Sequence, residues 1–65
     1  MDPQAVLQRA WDAMLLGEEE ECRDALGDYY GWRAIGGFQP EGGDALAIGI
    51  EKALEERFDA PVGEA

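Results

Sequence analysis

The chain is predicted to be all-α: a helical hairpin followed by a third helix, in one small domain over residues 1–65. Apolar side chains recur three and four residues apart in three separate stretches, the period of a helix face, with no strand-like alternation. Glycine and proline punctuate the chain between those stretches. A length of 65 residues also leaves room for one domain at most.

The first helix is predicted over residues 3–16. Pro3 suits an opening turn, where its missing N–H costs nothing, and Asp2 before it has the carboxylate that caps free amides. Leu7, Trp11, Met14 and Leu15 follow the i, i+4, i+7, i+8 spacing, and Val6, Ala10 and Ala13 widen the stripe to about half the circumference. So wide a stripe implies more than one neighbour. Gly17 then either ends this helix or bends a longer one, and a short turn is the expected reading. Glu18 to Glu21 favour a fresh helix start, because carboxylates are stabilised at the positive end of a helix dipole.

The second helix is predicted over residues 18–36. Cys22, Ala25, Leu26, Tyr29, Trp32 and Arg33 share its face, with Tyr30 at the margin. Gly27 and Gly31, four apart and close to Ala34, form a strip of small side chains on an adjacent face, which lets another backbone approach closely. Gly37 is expected in the left-handed position that ends the helix, with Phe38 folding back onto the last turn. A loop follows over 37–43, marked by Pro40 and the Gly42–Gly43 pair. Asp44 is the expected cap of a third helix over 44–58, on which Leu46, Ala47, Ile50, Ala53, Leu54 and Phe58 share a face. Ile48 points away from them. Pro61 closes the helix, and residues 59–65 form a tail.

Composition narrows the function classes. There is no Ser, Thr, Asn or His anywhere in the sequence, so the nucleophiles reduce to Cys22, Lys52, two tyrosines and the carboxylates. The usual general base, imidazole, is missing. No catalytic residue, cofactor or metal site is expected. Cys22 has no partner for an intrachain disulfide and reads as a small core residue. Zinc sites built from cysteine and histidine are out of reach. The loop glycines lack the lysine and hydroxyl of a phosphate loop, and the acidic run lacks the spacing of a calcium loop.

The formal net charge is −10. Glu20, Asp24 and Asp28 repeat every four residues and line up on one side of the second helix about 6 Å apart. Two readings follow: a solvated face, or an acidic surface that imitates nucleic acid and captures a basic partner. Direct nucleic-acid binding is not expected, because five scattered basic residues make no phosphate track. No run approaches the roughly 20 apolar residues of a membrane span. The first residues lack a basic start followed by an apolar run, which predicts a cytoplasmic location, where an unpaired cysteine is stable.

A short chain with a wide apolar stripe predicts a non-enzymatic interaction module that self-associates into a helical bundle, most simply a homodimer. The expected interface is Val6, Ala10, Trp11, Met14, Gly27 and Gly31. The rings of Trp11, Tyr29, Tyr30, Trp32 and Phe38 read as core and interface anchors rather than as a ligand pocket. Arg33, on a mainly apolar face, calls for a carboxylate from across the helix pair if it is buried, or else stays exposed with its stem packed on a ring.

Overall fold

The computed structural model describes residues 1–58; the predicted tail and Pro61 lie outside them. Three helices follow in order: α1 (Pro3–Leu16), α2 (Glu19–Ala34) and α3 (Gly43–Phe58). The all-α fold is as the periodicity predicts.

Local chemistry sets the start of α1. The Asp2 carboxylate accepts the N–H groups of Gln4 and Ala5 at 3.1 and 3.3 Å, so two of the free amides of the first turn are satisfied. At the other end Gly17 is left-handed, with φ 78°. Its N–H donates to the Met14 carbonyl at 3.2 Å, and that of Glu18 donates to Ala13 at 2.8 Å. This paired arrangement is a Schellman stop. Gly17 therefore ends the helix rather than bending it, and α2 opens afresh with Glu19, Glu20 and Glu21 in its first turn.

The end of α2 corrects two expectations. Gly36, not Gly37, is the left-handed residue, at φ 93°. Gly36 donates to Arg33 and Gly37 to Trp32, a second Schellman stop that ends the helix at Ala34 instead of 36. Gly37 is needed for a different reason: a Cβ there would lie 2.3 Å from the Trp32 ring. Phe38 does return to the last turn, its ring meeting Trp32 edge-on at 5.7 Å between centroids.

The loop turns at Pro40, whose carbonyl accepts the Gly43 N–H at 2.7 Å, with Gly42 at φ 71°. Positive φ at the third residue is what a type II turn demands. α3 starts at Gly43, one residue early, and Asp44 does not cap it. Gln39 contributes that contact instead, its Oε1 accepting the Asp44 N–H at 3.0 Å. The Asp44 carboxylate is turned towards α2.

The helices alternate in direction, so α1 and α3 run the same way. Residues near the start of both line one groove, and Arg57 near the end of α3 donates to the Met14 carbonyl at 2.7 Å. The core comprises Leu7, Ala10, Ala13 and Met14 from α1, Cys22, Ala25, Leu26 and Tyr29 from α2, and Ala47, Ile50 and Leu54 from α3. Alanine fills four of these places, which lets the helices pack closely. So narrow a core has no room for the large residues at the stripe margins. Trp11, Leu15 and Leu46 remain exposed.

Candidate functional site

Three surfaces follow from this packing, and they differ in chemistry. At the junction of α2 and α3, Arg33 forks onto Asp44, with Nε to Oδ1 and Nη2 to Oδ2 each 3.0 Å. The Tyr29 hydroxyl donates to the same Oδ1 at 2.6 Å, and Arg33 Nη1 reaches the Gly37 carbonyl at 2.7 Å. The carboxylate expected to answer Arg33 is thus Asp44. These contacts have electrostatic consequences. Hydrogen bonds from Arg33, then from Tyr29, hold the Asp44 carboxyl below its usual range. Burial, then the bond to Asp44, raises Tyr29. Beside it, burial and a bond to Glu51 push Tyr30 up to about 12. Every group here has a neighbour that accounts for it. This is a structural latch.

The outward face of α2 is the second surface. At ~100° per residue, Glu20, Asp24, Gly27 and Gly31 fall within about 60° of one another, directly opposite the core face, and all are exposed. The glycine strip therefore lies opposite the apolar face instead of adjacent to it, on the same side as Glu20 and Asp24. Nothing lies within 4 Å of a Cβ placed at Gly27 or Gly31, so neither serves a close approach within the chain. Asp28 leaves the ladder. It turns towards α1, where Arg9 bridges it at 3.2 Å and Glu21 at 2.9 Å.

The third surface is a groove of about 580 Å³ between the start of α1 and the segment from Pro40 to Leu46. Trp11, Leu46, Leu7, Ala5 and Pro40 supply its apolar lining; Asp2 and Glu41 are its charged members, with Gln4 and Gln8 beside them. Trp11 is 39% exposed and Leu46 43%, so the largest apolar groups of the groove face solvent.

The expected interface residues are thus dispersed. Ala10 and Met14 are buried in the chain's own core and offer no outer surface, because they occupy the centre of the α1 stripe. Val6 is half-buried against that core. Gly27 and Gly31 sit on the far side of α2. Trp11 alone of the six lies in the groove. Leu46 and Glu41 were missing from the expected set, although Leu46 lies at the edge of its helical stripe and Glu41 follows the turn-forming Pro40. Cys22 is buried, and that burial raises its thiol pKa, away from thiolate chemistry.

Among the described residues, no helix is long and apolar enough to cross a membrane, and no group of three or more cysteine and carboxylate side chains is gathered to hold a metal ion. No protein-family model, curated protein or solved structure matches the chain.

Proposed function

We propose that this chain is a non-enzymatic protein–protein interaction module whose partner docks in the groove between α1 and α3. The observation that carries the reading is the pairing of a solvent-facing Trp11 with a solvent-facing Leu46 in one groove. Tryptophan is among the residues that dominate binding energy once water is excluded around it. An amphipathic helix laid in an apolar groove is a recurrent mode of recognition.

Self-association, expected from the stripe on α1, is one form of this reading. Its basis is narrower than the sequence implied, since Ala10 and Met14 serve the monomer core. An acidic surface that imitates nucleic acid is a second reading, supported by the exposed Glu20 and Asp24 on the outward face of α2.

One experiment separates these. The chain is used as bait in native lysate, beside a Leu46→Gln variant and a Glu20→Gln/Asp24→Gln double variant, with solution mass followed by light scattering. Retention lost only in Leu46→Gln supports the groove, whether the retained protein is a foreign partner or a second copy. Retention lost only in the double variant supports the decoy. A catch that is indifferent to Leu46 removes the groove reading.

A further inference from the structure

The reading above leaves the partner's chemistry open, and the groove's charges constrain it. Asp2 and Glu41 contribute negative charge to the lining, and neither lysine nor arginine is among the lining residues. The arginines are engaged elsewhere: Arg9 with Glu21 and Asp28, Arg23 with Glu19, Arg33 with Asp44, and Arg57 on the Met14 carbonyl. Asp2 is held in the lining by capping α1 through Oδ1. These two carboxylates belong to a chain whose net charge is −10.

We infer that the groove takes a cationic amphipathic helix of another protein, its apolar side chains against Trp11 and Leu46 and its lysines or arginines against Asp2 and Glu41. This rests on the groove being the docking site. A second copy fits less well, because a two-fold contact through this surface sets acidic rim against acidic rim, with −10 on each molecule. A small cation also fits less well: tight small-molecule sites bury roughly 70–90% of the ligand, and Trp11 and Leu46 of this groove are both exposed. One wall is α1 and the other is the Pro40–Leu46 segment that leads into α3, so a partner helix packs its ridge along α1. From Asp2 to Trp11 the α1 wall rises about 14 Å at ~1.5 Å per residue, enough for anchors at i, i+4 and i+7. The face of Trp11 also attracts a cation beside it.

Calorimetric titration of the full chain tests this with three designed helical peptides. One carries leucines on one face and lysines on the other; a second keeps the leucines but replaces lysine with glutamine; a third keeps the lysines but has no apolar face. The leucine–lysine peptide is expected to bind best, and to weaken steeply as salt rises. Leu46→Gln is expected to weaken it about tenfold. Asp2→Asn with Glu41→Gln removes the rim charge, and asparagine keeps the cap; a several-fold loss is expected. Ala5→Lys, at an exposed helical position, is expected to weaken binding by like-charge repulsion and serves if Leu46→Gln fails to fold. Glu20→Gln with Asp24→Gln, which removes as much charge away from the groove, is expected to cost far less than the rim variant.

Equal binding of the leucine–glutamine peptide would remove the cationic partner and leave the groove reading intact. Equal binding of the peptide without an apolar face, or equal loss in the Glu20/Asp24 variant, would reduce the effect to general attraction by an acidic protein and overturn the inference. Self-association abolished by Leu46→Gln, with no peptide bound, would make a second copy the occupant; the inference fails and the groove reading survives. Binding of no peptide by a monomer overturns both.

Discussion

The α2–α3 latch and the α1–α3 groove lie on either side of the start of α3, yet they are built in opposite ways. In the latch each polar atom meets a partner: Arg33 forks onto Asp44, Tyr29 shares the same oxygen, and Gln39 takes the amide of Asp44. In the groove, large apolar groups and two carboxylates face water. The contrast teaches where this chain spends its specificity. A short domain with a narrow alanine-rich core uses polar geometry to fix the third helix, and the unfilled apolar surface is left on the other flank.

The contrast is open to breaking, beginning with the latch. Gly43→Ala places a Cβ 2.7 Å from the Tyr29 hydroxyl and about as close to the Pro40 ring. Forced overpacking of this kind costs typically about 1–3 kcal/mol, so a marked drop in melting temperature is expected, and calorimetry checks it. Tyr29→Phe removes one hydrogen bond but leaves Asp44 held by Arg33. A loss of about 1 kcal/mol in chemical denaturation is expected.

The pH dependence sharpens the same point. Asp44 ionises more readily in the folded chain than in the unfolded one, so its contribution is present above the ordinary carboxylate pKa near ~4. It is lost as pH falls through the depressed folded value, and Asp44→Asn is expected to flatten that acid limb. Tyr29 and Tyr30 behave in the opposite sense. Their folded pKa values are raised, so their contribution is full below the ordinary tyrosine pKa near ~10 and fades as pH climbs through the folded values. Denaturation curves across alkaline pH are expected to lose that limb in part when Tyr30 is replaced by phenylalanine.

The groove is expected to respond least. Leu46→Gln removes a half-exposed apolar group from no core contact cluster, and a change in stability below about 1 kcal/mol is expected. A large loss of melting temperature there would mean that Leu46 is structural, and the contrast with the latch would collapse.

Much of the fold was legible because it is local. Asp2–Pro3, Gly17 and the three apolar periods each act within a few residues, and all three helices lie where those signals point. The departures arise where tertiary contacts choose between local equivalents. Gly36 and Gly37 are interchangeable as left-handed residues; the docking of Trp32 on the Gly37 backbone assigns the left-handed role to Gly36. Asp44 has a capping residue's chemistry, but Arg33 and Tyr29 draw its carboxylate away. The stripe on α1 shows its width and not its centre, so Ala10 and Met14 were indistinguishable from Trp11 as outer residues. Of the groove itself, only Trp11 was visible, because its opposite wall comes from a loop and a helix start distant in sequence.

The central claim is that the docking surface is the groove and not the acidic face of α2. Its most direct measurement is a backbone amide chemical-shift map of the full chain as the leucine–lysine peptide is added. Shifts are expected at Ala5, Trp11, Glu41 and Leu46, with Glu20, Asp24, Gly27 and Gly31 unmoved. The reverse pattern, movement along the outward face of α2 with a silent groove, would contradict the claim.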